Sequence, residues 1–237
     1  MLFRSVKPAE DACLSVLKVG ELALEVGFPP GAINIVTGYG EDAGAALAAH
    51  PGIDHISFTG SPETGALVQA AAAKNNRPVT MELGGKSPQL VFADADLDAA
   101  LPFLVGAIIQ NAGQTCSAGS RLLVQESIYK EFVDAVAKRF EALRVGSSDM
   151  DLDCGPLINK SQHERVGGFI ARAGKSGLQP RAQGTIAANA PKGGYFVAPT
   201  MFTDVPENHE LVTEEVFGPV LAALPFKDEA EIGRAHV

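Results

Sequence analysis

The chain has 237 residues, 46% of them hydrophobic, and a formal net charge of −9, enough for one large domain or two small ones with a folded core. Its Lys and Arg residues are too few and too scattered to track a phosphate backbone, which argues against nucleic acid as a partner. The longest uncharged apolar stretch, 99–109, is too short for a bilayer and no charged-then-apolar leader opens the chain, so neither a membrane partner nor export is expected.

The first third alternates helical and extended patterns. Apolar residues at helical spacing, with Leu14, Leu17, Leu22 and Val26 among them, predict a helix over 9–26 that stops at Gly27. Pro29, Pro30 and Gly31 then turn the chain. A strand is predicted at 33–36, a helix at 41–50, a strand at 53–58, an Ala-rich helix at 62–74 and a strand at 79–83 that Gly84-Gly85 breaks. Strands alternating with helices imply parallel pairing in an α/β layer structure. The pattern continues with a strand at 89–92, a helix at 97–110, a strand at 121–125 and a helix at 128–143. Pro102 is placed near the start of its helix, where a missing amide matters least. The Gly-, Ala- and polar-rich stretch 174–194 reads as irregular, and extended runs follow at 195–202 and 216–224.

Three cysteines, Cys13, Cys116 and Cys154, are an odd number without metal-type spacing. They disfavour a disulfide framework and a structural zinc site, so no metal is expected, and a reducing cytoplasm fits.

Chemistry concentrates in two short runs. Met81-Glu82-Leu83-Gly84-Gly85-Lys86-Ser87-Pro88 sets a carboxylate at a strand end, and Asn111-Ala112-Gly113-Gln114-Thr115-Cys116-Ser117-Ala118-Gly119-Ser120 sets a thiol among small residues. A thiol nucleophile and a carboxylate base are the groups that form a thioester and hydrolyse it. Cys116 needs activation, since a free thiol has a pKa of about 8.5. Cys13 and Cys154 lack such surroundings and read as bystanders, and Lys86 reads as structural. Phe58-Thr59-Gly60-Ser61 before a helix makes a sensible anion site, whereas Gly38-Tyr39-Gly40 with Gly44 departs from G-x-G-x-x-G and reads equally as a turn. Taken alone, Lys7 and Glu10 are solvated charges at a helix start, and Glu214-Glu215-Val216-Phe217-Gly218-Pro219-Val220 is an acidic turn before a strand.

Together these runs resemble the aldehyde dehydrogenase superfamily over nearly the whole chain. The resemblance implies an α/β fold with a partial Rossmann-like cofactor-binding domain at 1–84 and an α/β catalytic domain at 85–237. It assigns Cys116 as nucleophile and Glu82 as general base, with partial burial expected to hold the Glu82 pKa near working pH. The Cys116 backbone amide becomes one oxyanion donor. The family's second donor is an Asn side chain from a segment upstream of Lys7, which this chain is expected to lack. Ser61 contacts the cofactor pyrophosphate, Lys7 and Glu10 hold the adenosine ribose, Glu215 binds the nicotinamide-side ribose, and Phe217 packs near the nicotinamide. A carboxylate at Glu10 repels a 2′-phosphate, which favours NAD over NADP. The implied substrate is a small-molecule aldehyde, oxidised to a carboxylic acid through a thioester, and a homo-oligomer is expected of the complete protein. Two alternatives stay open, an inactive fragment of such an enzyme and a relative that releases the acyl group to coenzyme A. Both ends read as cut. Lys7-Pro8-Ala9-Glu10 resembles a motif internal to the family, and Glu231 to Val237 matches one reading frame of what resembles a sequencing-library adapter, which favours a non-native tail at 232–237, while Gly233-Arg234-Ala235 also resembles a natural continuation of the family.

Overall fold

A computed structural model describes residues 3–232. The chain divides into two units, Met1–Gly84 and Gly85–Val237. The first contains two strand–helix–strand repeats. Strand β1 (Arg4–Val6), a 3-10 turn at Glu10–Ala12, helix α1 (Cys13–Glu25) and strand β2 (Ile33–Ile35) form one, with β1 and β2 parallel and Arg4 opposite Ile33. Gly27, at φ 91°, ends the helix as expected, because glycine adopts this left-handed conformation without steric penalty. The second repeat follows a wide turn at Gly40–Gly44 and the short helix α2 (Ala45–Ala49). It runs through β3 (Ile56–Gly60), α3 (Pro62–Ala73) and β4 (Val79–Leu83), again parallel, with Ile56 opposite Val79. Strand β3 begins three residues later than its apolar pattern suggests, since Ile53 closes a turn by donating its N–H to the His50 carbonyl.

In the second unit, β5 (Pro88–Val91), α4 (Leu97–Ile109), β6 (Arg121–Gln125), α5 (Glu126–Ala142) and the two-residue β7 (Arg144–Val145) lead to α6 (Lys160–Lys175). There follow β8 (Pro180–Gln183), β9 (Thr185–Ile186), β10 (Thr200–Thr203), α7 (Glu210–Thr213), β11 (Val220–Phe226) and α8 (Glu229–Ile232). The main sheet has the order β5-β6-β11-β10-β8, parallel except where β8 joins β10 antiparallel, and β7 pairs with β9. Strand β11 shows why both faces are covered. Leu221 and Ala223 pack with Val105 and Ile108 of α4 and Phe132, Val136 and Phe140 of α5, while Val220, Ala222 and Leu224 pack with Val166 and Phe169 of α6 and Leu211 of α7. A strand buried on both sides reads as a continuous apolar run, which is the form Val220 to Leu224 takes.

Three expectations need correction. Residues 174–194 are not simply irregular, since they hold the end of α6 and the strands β8 and β9. Helix α6 itself went unread because its composition is polar and Gly167-Gly168 interrupts it. Its signal is Asn159 at the N-cap, accepting from the Gln162 N–H at 2.9 Å, followed by apolar residues at 166, 169, 170 and 173. Pro102 lies beyond the first turn of α4, where the missing N–H leaves the Asp98 carbonyl without its i+4 donor. The two late extended runs shrink to β10 and β11, because Phe217 is left-handed at φ 58° and Gly218-Pro219 follow it. Of the suspected tail, Ile232 is buried with Phe226, against Phe92 and Leu123, and 233–237 lie outside the described residues.

Candidate active site

In the first unit the structure brings Lys7 and Glu10 together. Lys7 Nζ donates to Glu10 Oε2 at 3.0 Å, and the Gly40 N–H donates to Glu10 Oε1 at 3.4 Å. Glu10's own backbone N–H, then Lys7, hold its carboxyl below the usual carboxylate range. The negative charge thus persists on a carboxylate that faces solvent. Ser61 is the N-cap of α3, with its Oγ accepting from the Thr64 N–H and donating to Thr64 Oγ1, both at 3.2 Å. Pro62 occupies the first helical position, where its fixed φ is preorganised for the helix. Glu82 stands opposite Thr59 near the end of β4. It is exposed, not partly buried as expected, because the alternation along β4 points Thr80 and Glu82 outward while Val79, Met81 and Leu83 are half-buried.

In the second unit Cys116 occupies an exposed turn between α4 and β6. Among the described residues its backbone N–H has no acceptor, although the neighbouring turn is closed by the Ala118 N–H on the Thr115 carbonyl at 2.9 Å. The other two thiols differ. Burial pushes Cys154 up to about 11, and Cys13 is half-buried at the start of α1. The turn before Cys116 is left-handed at three consecutive positions, Asn111, Ala112 and Gly113, with φ of 52°, 55° and 71°. Only glycine fits the third, since a Cβ there would collide with the Gly218 carbonyl.

Glu215 and Phe217 lie beside this turn on the segment that contacts it. The Gly85 N–H donates to Glu215 Oε1 at 3.3 Å, and a Cβ on Gly85 would lie 3.9 Å from the Cys116 carbonyl oxygen, so Gly85, the thiol turn and the Glu215 segment meet. Two residues that sequence reasoning did not single out, together with Lys86, which it read as structural, complete the surroundings. Gln162 Nε2 donates to the Phe217 carbonyl at 2.6 Å and to the Val216 carbonyl at 3.3 Å, and Arg165 donates to the Glu215 carbonyl at 2.7 Å. The Asn159-x-x-Gln162 spacing at a helix start is the feature that could have marked the first of these. Lys86 is the third. Its Nζ is buried without a hydrogen-bond partner among the described residues, and desolvation, reinforced by the positive charge of Arg121 and opposed by Glu215, lowers its pKa to about 8. Its carbonyl accepts from Arg121 Nε at 2.7 Å.

Among the described residues no His, Cys, Asp and Glu group could hold a metal ion, and no helix is long and apolar enough to cross a membrane. The chain is 46% identical over 233 residues to retinal dehydrogenase 2 of Mus musculus and 44% identical over 228 residues to the chloroplastic betaine aldehyde dehydrogenase of Beta vulgaris. These matches cover 96% and 95% of this chain but 44% and 45% of the relatives. Among solved structures, one from Burkholderia cenocepacia matches with TM-score 0.96 at 62% identity, over 98% of this chain and 48% of that one. An NAD+ complex of an aldehyde dehydrogenase from Bacillus cereus matches at 0.92 and 41%, over 98% and 47%. The chain thus spans about half the length of the relatives it matches. The pattern of the Aldehyde dehydrogenase family matches residues 5–235, and with the α/β fold in agreement, the chain belongs to the aldehyde dehydrogenase family.

Proposed function

We propose that this sequence carries the central chemistry of an NAD-dependent oxidation of an aldehyde to a carboxylic acid, with Cys116 as nucleophile and Glu82 as general base. The observation that carries the reading is the Cys116 turn, an exposed thiol whose own N–H has no acceptor among the described residues. In that reading Sγ attacks the aldehyde carbon, the C–S bond forms, and the carbonyl electron pair moves to oxygen. The developing oxyanion is met by the Cys116 N–H, a donor that requires no reorganisation. When bound, the nicotinamide supplies the oxidant that takes the hydride between the thiohemiacetal and the thioester. Glu82 then takes a proton from water, whose oxygen bonds the thioester carbon as the C–S bond breaks and the thiolate leaves.

The residues present fit a dinucleotide. The Lys7–Glu10 pair offers a cation and a carboxylate for ribose hydroxyls, and the negative charge at Glu10 favours NAD over NADP. The N-terminus of α3 at Ser61 offers helix-dipole stabilisation to the pyrophosphate. Glu215, held through Gly85, and Phe217 are assigned the nicotinamide side. The NAD+ carried by the Bacillus cereus relative supports the same cofactor.

A second reading concerns the 237 residues alone, which do not turn over. The large apolar exposure of the first unit and the half-length match to the relatives favour it. The test is NADH formation with short aldehydes. A chain extended to its relatives' length is expected to be active and to lose roughly a thousandfold or more with Cys116→Ala. Full activity of that variant would refute the nucleophile assignment, and robust Cys116-dependent turnover by the 237 residues would refute the second reading.

A further inference from the structure

The turn before Cys116 holds two side-chain-bearing residues in left-handed backbone, a conformation that persists only where the surroundings over-determine it. Gln114 supplies that determination. Its N–H and its Nε2 both donate to the Asn111 carbonyl, at 3.1 and 3.0 Å, and Asn111 Nδ2 donates back to the Gln114 carbonyl at 3.0 Å. The remaining atom of the amide, Oε1, accepts from the Ile158 N–H at 2.9 Å. A carbonyl at one end and an N–H at the other fix which way the amide faces. Immediately after Ile158, Asn159 caps α6, and the first turns of α6 grip the carbonyls of 215–217 through Gln162 and Arg165. On the opposite side of the turn, Gly113 abuts the Gly218-Pro219 backbone.

We propose that Gln114 is a positioning residue for Cys116, its amide fixing the nucleophile turn to Ile158, just before the helix that holds the Glu215–Phe217 segment. The inference rests on the reading of Cys116 as nucleophile. Gln114 touches no reacting atom. It acts two residues away, on the backbone path that aims the Cys116 N–H.

Two reactions of the same thiol separate positioning from folding. Alkylation by iodoacetamide needs only an accessible Sγ. Acylation by p-nitrophenyl acetate also needs the N–H aligned with the developing oxyanion. In that acylation the Sγ–C bond forms, the ester C–O bond breaks, p-nitrophenolate leaves with the electron pair, and the thiol proton passes to water. The 237-residue chain is compared with Gln114→Met and Gln114→Glu, the modified cysteine being located by mass spectrometry. Gln114→Met is expected to acylate Cys116 roughly tenfold more slowly, while alkylation stays within about twofold and the melting temperature is retained.

Gln114→Glu adds a pH readout. Ionised, it accepts from Ile158 but cannot donate to Asn111; protonated, it regains both bonds. Its acylation rate, as a ratio to the unsubstituted chain at the same pH, is therefore expected to recover as pH falls through the carboxylate range. This comparison decides the matter if Gln114→Met does not fold. A Gln114→Met rate equal to that of the unsubstituted chain, a proportional loss of acylation and alkylation, or a flat Gln114→Glu ratio would overturn the proposal. Failure of the unsubstituted chain to acylate at Cys116 would instead sink the nucleophile reading, and this proposal with it.

Discussion

Lys86 shows how a residue that reads as ordinary in sequence becomes unusual once folded. It follows the glycine pair, and its Nζ is enclosed with Arg121 and Glu215 as the charges that act on it. A base whose folded pKa falls from 10.5 to about 8 binds its proton more weakly in the folded state. Below the folded value both states are protonated and the whole penalty is present, on the order of 3 kcal/mol. Between about 8 and 10.5 the unfolded chain holds the extra proton, so this group's contribution makes stability rise with pH. Lys86→Met is therefore expected to raise denaturant stability at neutral pH and to lose that advantage as pH rises through this window. Equal or lower stability of the variant at pH near 7 would contradict the account. None of this was legible at the sequence level, because burial of an ammonium is a property of what packs over it. Cys116, Glu215 and Phe217 were singled out only through the resemblance of their runs to a family pattern, whereas the exposure of Glu82 depended on which face of β4 is covered.

Elements divide in the same way. Helix α5 and strand β6 announced themselves by dense apolar periodicity, and β6 has the predicted bounds. Helix α6 buries Val166, Phe169 and Ala173 yet is polar elsewhere and carries two adjacent glycines, so local propensity opposed what tertiary packing stabilises. Its importance is positional, since its first turns carry Gln162 and Arg165. Helix α4 presents the converse case. Its pattern was read correctly, but Pro102 lies in its interior on an exposed face, at the sixth helical residue. Pro102→Ala would supply an N–H for the Asp98 carbonyl and remove the ring's clash with it. Chemical denaturation is expected to show a gain on the order of 1–3 kcal/mol. Unchanged or reduced stability would mean that the ring packs in a way the helix geometry does not express.

At the scale of the molecule, the two units differ in how well they bury themselves. The second has covered faces on both sides of its central strands, with Phe132, Phe140, Phe202 and Leu221 fully enclosed. Among the described residues of the first, the buried apolar side chains besides Pro8 are alanines, Ala23, Ala32, Ala48 and Ala72, while Leu14 is 80% and Leu67 72% exposed. Helix α1 thus leaves Leu14, Val19, Leu22 and Leu24 exposed, and α3 leaves Leu67 exposed, so apolar surface of this unit stays uncovered. The α/β alternation was visible in sequence, since it follows from the periods of the segments. The thinness of this core was not visible in the pattern, which predicts that a face is apolar and not whether it is met. Both observations agree with a chain spanning about half of its relatives' length.

In the proposed reading, Cys116 carries an acyl group that Glu82 helps to remove. The most direct test is mass spectrometry of the chain extended to its relatives' length, bearing Glu82→Gln and mixed with NAD and a short aldehyde. Slowing hydrolysis by roughly a hundredfold or more should leave the acyl group in place. An acyl adduct on the peptide containing Cys116 is expected to persist in the variant and to clear rapidly in the unsubstituted protein. An adduct on another residue, or equally fast clearance in both proteins, would contradict the proposed reading.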